Sequence, residues 1–180
     1  MANPTAHPVT RPAIRPATAA DLPVIREIYD HQVETATSTF HTEPPPIDYW
    51  EARLGSTEVG DHLLVAEVGA EVLGYAYSSA YRPRAAYART RETSVYLAAG
   101  AGGRGLGRAL YDDLLDRLRD DGVHTVLAVV ALPNPASEAL HRACGFERVG
   151  VLPEVGFKLG RWIDTGLWAL RLQVGDAGER

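Results

Sequence analysis

The sequence predicts an α/β domain built on one mixed sheet, and three stretches carry that reading. Residues 93–97 are β-branched, aromatic or aliphatic with one polar residue, Ser94, between, residues 100–107 then hold five glycines, and an amphipathic helical run follows, the outline of strand, tight turn and helix. Residues 123–131 are almost continuously apolar, as a strand buried on both faces should be. Residues 62–68 and 72–79 flank the turn Gly69-Ala70-Glu71 and read as an antiparallel hairpin. At 180 residues, with 46% hydrophobic and 23% charged, the chain suits one domain with a full core.

In chain order, residues 13–15 start the sheet. Thr18 with Asp21 three residues on makes a capping box, and Leu22, Ile25, Ile28 and Tyr29 recur at helical spacing, so the first helix covers 19–34. Residues 35–46 break that period, are dense in Thr and Pro, and hold Phe40 and Pro44-Pro45-Pro46, which makes a semi-rigid loop. A second helix covers 47–57. After the hairpin, 81–91 is irregular, with one helical turn near 85–88. It is also the most basic stretch, Arg82, Arg84, Arg89 and Arg91 preceding the first acid, Glu92. Of the lysines and arginines all but Lys158 are arginine, so a solvated loop explains the cluster; its place before the central strand also lets it face the cleft. The third helix, 106–121, carries Leu106, Leu110, Leu114 and Leu118 on one stripe. A fourth covers 135–143 and stops at Gly145. Strands over 147–158 and 162–173 complete a domain spanning 13–173, with loose polar tails at 1–12 and 174–180.

A net charge of −5 and a pI near 5.7 argue against a nucleic-acid or anionic-membrane partner, since either requires a basic face. No apolar run approaches the ~18 residues of a membrane span, and the first residues lack a signal-peptide core, which predicts a cytoplasmic protein. The one cysteine, Cys144, sits at an apolar helix end and reads as a small buried filler rather than a nucleophile.

Glycines let backbone N–H groups approach an anion closely, and a following helix adds its positive end, so 100–107 suits a phosphate; a flexible connection fits it as readily. The flanking segments decide. Strand, Gly102-Gly103-Arg104-Gly105-Leu106-Gly107, helix, strand 124–131, Leu132-Pro133-Asn134 and a helix ending Ala143-Cys144-Gly145-Phe146 resemble the GNAT acyltransferase family. Within it, Ile14-Arg15-Pro16-Ala17-Thr18, Glu34-Thr35 with Thr39-Phe40, Glu92-Thr93-Ser94-Val95-Tyr96 and the tail Gly156-Phe157-Lys158-Leu159-Gly160-Arg161-Trp162-Ile163-Asp164 resemble the phosphinothricin N-acetyltransferase and methionine sulfone and sulfoximine acetyltransferase group. The likeness runs from about residue 14 to 170. It implies a single domain whose central mixed, mostly antiparallel, twisted sheet is flanked by about four helices.

By that resemblance acetyl-CoA is the co-substrate and no metal is needed. Backbone groups of Val95, Tyr96 and Leu97 would hold its pantetheine arm as an added strand, and Gly103, Arg104, Gly105, Leu106 and Gly107 its pyrophosphate. Gly102 departs from the pattern, standing where the family usually carries Gln or Arg, and the lost side-chain donor predicts weaker affinity at worst. Asn134 and Ser137 match positions that contact the cofactor arm, while helix capping explains them equally well.

An ammonium must lose a proton before its nitrogen attacks a thioester, so a base is required. Glu92 matches the family's glutamate; a strand-end residue paired with Arg91 or Arg89 is its plain alternative. The resemblance gives the oxyanion donor as the N–H of Leu97, where the central strand splays, and His141 as the group that protonates the leaving thiolate or shares the base role. Arg82, Arg84 and Tyr87 align with substrate-pocket positions, where forked donors suit carboxylate and phosphinate oxygens, and Phe40 forms an apolar wall, with Thr39 and Glu34 in the same loop. Lys158, Trp162, Asp164 and Trp168 match the family tail, though strand packing or a dimer seam explains them better. The implied function is acetyl-CoA-dependent acetylation of the α-amino group of a small amino acid such as phosphinothricin, methionine sulfoximine or methionine sulfone. Direct transfer is expected, since no cysteine or serine lies beside a base in these motifs, and the resemblance implies a homodimer. Two alternatives stand beside it: acetylation of a protein N-terminus or another amine, and a non-catalytic acyl-CoA sensor that needs neither Glu92 nor His141.

Overall fold

A computed structural model describes residues 12–172, so all but residue 12 of the expected tails lies outside the described residues. The elements are β1 (Ala13–Pro16), α1 (Leu22–Thr35), α2 (Ile47–Leu54), β2 (Leu63–Val68), β3 (Glu71–Ala80), β4 (Thr90–Leu97), α3 (Leu106–Asp120), β5 (Thr125–Ala131), α4 (Pro135–Ala143), β6 (Glu147–Lys158) and β7 (Arg161–Arg171), with single 3₁₀ turns at Ala19–Asp21 and Ala85–Tyr87. The strands form one sheet in the order β1-β2-β3-β4-β5-β7-β6. Every neighbouring pair is antiparallel except β4 with β5, whose parallel pairing requires the crossover that α3 supplies.

Alternation along the strands divides the core in two. Leu110, Leu114 and Leu118 of α3 pack with Val126, Ala128 and Val130 of β5 and with Phe146 and Trp168 on one face. On the other, Ile25, Tyr29 and Val33 of α1 and Trp50 of α2 cover Leu63, Val65, Tyr75 and Tyr77. Each such leucine contributes about 1.5–3 kcal/mol by leaving water, which anchors both layers. The start of α1 is tied to the sheet by charge. Asp21 accepts from the Thr18 N–H at 2.7 Å and hydroxyl at 2.8 Å, and the Arg15 guanidinium forks onto both its oxygens at 2.8 Å while reaching Glu67. Hydrogen bonding from Arg15 holds the Asp21 carboxyl well below the usual carboxylate range.

Four expectations need correction. The first helix opens as a 3₁₀ turn and becomes α-helical at Leu22, with Pro23 in a first turn where its missing N–H costs nothing. The second helix stops at Leu54 because Gly55 follows, instead of reaching 57. Strand β4 begins at Thr90, where pairing with Thr125 of β5 extends it ahead of residue 93. Strand β5 is not buried on both faces throughout: Val129 is 45% exposed, because β4 has diverged from β5 by that point.

Candidate active site

The divergence of β4 and β5 makes the site. The two strands pair only through Thr90↔Thr125, Arg91↔Val126 and Glu92↔Leu127, whereas β3 follows β4 to Leu97 and β7 follows β5 to Ala131. Held from outside and released from each other, they open a cleft of about 530 Å³. Thr93 marks the fork, its hydroxyl donating to the Leu127 carbonyl at 3.2 Å. The Ala98 N–H is spent on the Leu73 carbonyl. By ladder alternation the N–H groups of Val95 and Leu97 point the other way, toward the cleft, free to hold an added strand or an oxyanion.

The cleft floor is the glycine turn. Gly103 and Gly105 take left-handed φ of 73° and 79°, which a side chain there would strain, and Gly105 is the N-cap of α3. The first helical bond runs from the Ala109 N–H to Gly105, so the N–H groups of Leu106, Gly107 and Arg108 have no partner within the helix. No neighbouring atom crowds a Cβ at Gly103 or Gly105, so these glycines serve backbone shape and access rather than packing. That turn fits a pyrophosphate: backbone donors, an open approach and a helix N-terminus.

The opposite wall comes from β5 and α4. Asn134 caps α4, its side-chain oxygen accepting the Ser137 N–H at 3.1 Å, and both residues also line the cleft. His141 is buried, with Nδ1 2.7 Å from the Ser137 carbonyl and Nε2 2.9 Å from the Tyr111 hydroxyl. A carbonyl only accepts, so Nδ1 carries the hydrogen and Nε2 accepts from Tyr111. Burial lowers the proton affinity of His141, against the Ser137 carbonyl bond that favours its charge, and burial pushes the Tyr111 phenol up.

The cleft thus gathers Val95, Tyr96, Leu97, Gly103, Gly105, Leu106, Gly107, Asn134, Ser137 and His141, while Arg104 is exposed outside its lining. Glu92 lies two residues before the cleft's Ser94, half-buried opposite Ser79 and Leu127. It shares the α1–α2 face of the sheet with Ser94 and Tyr96. Burial raises its proton affinity and the charge of Arg53 lowers it. Phe40 rests against the backbone of Gly156, where a Cβ would lie 2.3 Å from its ring, and stays 42% exposed. Its loop is pinned: the Lys158 ammonium donates to the Thr39 carbonyl at 2.9 Å, and the Thr39 and Tyr29 hydroxyls are 2.5 Å apart. Arg82 and Arg84 are exposed, and Tyr87 meets Tyr81 edge-on at 5.3 Å. Arg91 leaves the expected arginine cluster: it is buried, donates to the Val59 carbonyl and lies 3.5 Å from Asp61, because its strand position faces the α3 side. Glu34 is exposed. Trp162 packs on Phe157, Asp164 accepts the Glu154 N–H at 2.8 Å, and Trp168 is buried 5.8 Å from the His141 ring. Cys144 is half-buried among core residues, its thiol pushed up to about 11 by burial.

Gln32, Ser38, Ser94 and Tyr111 also line the cleft and were not singled out from the sequence. Strand alternation from Glu92 would have found Ser94. Tyr111 reads as filler beside a leucine stripe, and nothing local links it to a histidine 30 positions on.

The Acetyltransferase (GNAT) family matches residues 25–146. A phosphinothricin N-acetyltransferase of Alcaligenes faecalis is 46% identical over 158 residues, 87% of this chain and 80% of the relative. An L-methionine sulfoximine/L-methionine sulfone acetyltransferase of Pseudomonas paraeruginosa is 38% identical over 162 residues, 89% of this chain and 94% of the relative. Among solved structures, a GNAT superfamily phosphinothricin acetyltransferase from Sinorhizobium meliloti in complex with AcCoA superposes with a TM-score of 0.87 at 39% identity, covering 93% of this chain and 92% of that one.

Proposed function

The chain belongs to the GNAT acetyltransferase family, and from that premise we propose that it moves an acetyl group from acetyl-CoA to the α-amino group of a small amino acid, phosphinothricin or a methionine sulfoximine or sulfone. The observation that carries this is the fork between β4 and β5. It leaves N–H groups of β4 unpaired beside a glycine turn in one cleft, and the half-buried Glu92 carboxylate stands on β4 two residues ahead of that cleft. Acetyl-CoA supplies the acyl thioester. The N–H groups of Val95 and Leu97 bind its arm and stabilise negative charge on the reacting oxygen, and Gly103, Gly105 and the N-terminus of α3 bind the pyrophosphate. Glu92 takes a proton from the substrate ammonium, a step that requires the ionised carboxylate. Nε2 of the neutral His141 accepts from the Tyr111 hydroxyl, so His141 protonates the departing sulfur only after taking up the second proton that the amine nitrogen loses after its attack, relayed in and out through that hydroxyl. Arg82, Arg84 and Tyr87 bind the acceptor's oxygens, and Phe40, held on Gly156, closes its apolar side.

The exposed Val149, Val151, Leu152, Val155 and Phe157 of β6, with Trp162 beside them, form an apolar border on an edge strand, a surface suited to a second copy of this chain. We assign the enzyme to the cytoplasm, where acetyl-CoA and free amino acids meet, and resistance to phosphinothricin is the expected consequence of its activity. Among the described residues no helix is long and apolar enough to cross a membrane.

The test is CoA release with phosphinothricin, methionine sulfoximine, methionine sulfone, glutamate and a short peptide. Turnover on one of the first three supports the proposal. Turnover on the peptide alone, or acetyl-CoA binding with no turnover at all, overturns it.

A further inference from the structure

Arg53 of α2 is half-buried and lacks the partner such a charge usually finds. Its guanidinium carbon lies 3.8 Å from the centre of the Tyr77 ring and 4.9 Å from that of Tyr49, and one nitrogen donates to the Tyr49 hydroxyl at 2.8 Å. Its Nε is buried without a hydrogen-bond partner, and among the described residues it forms no ion pair. Tyr77 stands opposite Ser94, and Glu92 stands opposite Ser79. Tyr77 and Glu92 are therefore diagonal neighbours on one face of the sheet, with Cβ atoms about 7–8 Å apart or less. Glu92 is also half-buried and without a hydrogen bond or ion pair among the described residues.

Two opposite charges thus share one sheet face, neither neutralised by contact. We propose that Arg53 is a positioning residue that keeps the Glu92 carboxylate ionised as the base, an inference that rests on the acetyltransferase reading above. Its stacking explains why an arginine suits the task. A guanidinium bonded directly to Glu92 would occupy the oxygen lone pairs that must receive the substrate's proton. Parked on two aromatic rings, it supplies positive charge and leaves those lone pairs free.

The strand register surrounds Glu92 with hydroxyls and phenols, and the imidazole of His41 joins the same aromatic cluster, edge-on to Tyr49 at 5.6 Å. Tyr49 comes from α2, Tyr77 from β3, Ser94 and Tyr96 from β4, and Leu127 from β5, and burial pushes the phenols of Tyr77 and Tyr96 up. Arg91 points to the opposite face, toward Asp61, and Arg82 and Arg84 are exposed. Burial makes Glu92 hold its proton more tightly and Arg53 opposes this, so removing Arg53 leaves Glu92 protonated to higher pH. The base works only when deprotonated, so the loss falls on the acid side.

The experiment compares kcat/KM against pH for the wild type, Arg53→Met, Arg53→Lys and Glu92→Gln, using the acceptor turned over best. Arg53→Met should lose about five- to ten-fold at pH 6 and less than about two-fold at pH 8.5, while Arg53→Lys keeps the wild-type profile shape. A loss equal at every pH, or none, overturns the inference. Turnover retained by Glu92→Gln overturns the base reading instead. A carbon-13 carboxyl titration of Glu92 without substrate gives a readout independent of activity: its midpoint should move up in Arg53→Met, and an unmoved midpoint refutes the proposal. If the methionine variant does not fold, Arg53→Gln, neutral and planar, serves in both measurements.

Discussion

The two sides of β4 are built from different materials. The cleft is made largely of backbone: the N–H groups of Val95 and Leu97 and of the first turn of α3, within one contiguous stretch, faced by the capped start of α4. The proposed acceptor side is made of side chains drawn from the loop after α1, from α2, β3, the arginine loop and β6, among them Phe40, Arg53, Tyr77, Arg84 and Lys158. A backbone site depends on conformation and tolerates changes of side chain, whereas a side-chain site can change its ligand by single substitutions. The fold therefore separates what stays constant, the acyl donor, from what can vary, the amine.

Glu92→Gln should give the largest effect, a fall of about 10²–10⁴-fold in kcat. Acetyl-CoA affinity measured by calorimetry should stay within about two-fold, since Glu92 lies outside the cleft lining. Parallel loss of cofactor binding would mean the two sides are one site. Next comes Arg84→Ala, where losing a charged donor to an oxyanion should raise the acceptor KM about ten-fold or more and leave the acetyl-CoA KM alone. An unchanged acceptor KM would move the acceptor site away from the exposed 82–87 loop. Gly105→Ala is the reciprocal test. Its φ of 79° makes a Cβ cost about 1–2 kcal/mol, so the acetyl-CoA KM should rise about five- to thirty-fold while the acceptor KM holds.

The same division explains what was legible in the sequence. The strand, glycine turn and helix were readable because their determinants are adjacent: glycines at 103 and 105, a strand before them and a leucine-striped helix after them. The capping box at Thr18 and Asp21 was readable for the same reason, yet the fork onto Asp21 from Arg15 was not. The acceptor side depends on pairings such as Lys158 with Thr39, Phe40 with Gly156 and Arg53 with Tyr77, each between segments far apart in the chain. No periodicity encodes those. The inward turn of Arg91 depends on where β4 begins, and only the pairing of Thr90 with Thr125 sets that. Val129 shows the same limit, since an apolar strand signals burial but cannot announce that its neighbour leaves it halfway.

The smallest predicted effect tests the expectation that Gly102 leaves the turn short of a side-chain donor. Gly102 is not among the glycines with positive φ, and a Cβ added there meets nothing within 4 Å. Gly102→Gln should therefore enter the turn without strain and restore a side-chain donor beside the pyrophosphate. One added hydrogen bond of about 0.5–1 kcal/mol corresponds to a two- to five-fold tighter acetyl-CoA complex, with the acceptor KM unmoved. Gly103→Ala, at a φ of 73°, should weaken the same complex, because there the backbone conformation is what a side chain disturbs. Opposite signs at adjacent glycines would show that the cradle is held by backbone shape at one position and lacks only a donor at the other. Weakening at both would mean that backbone donors already satisfy the pyrophosphate and that a side chain at 102 obstructs it.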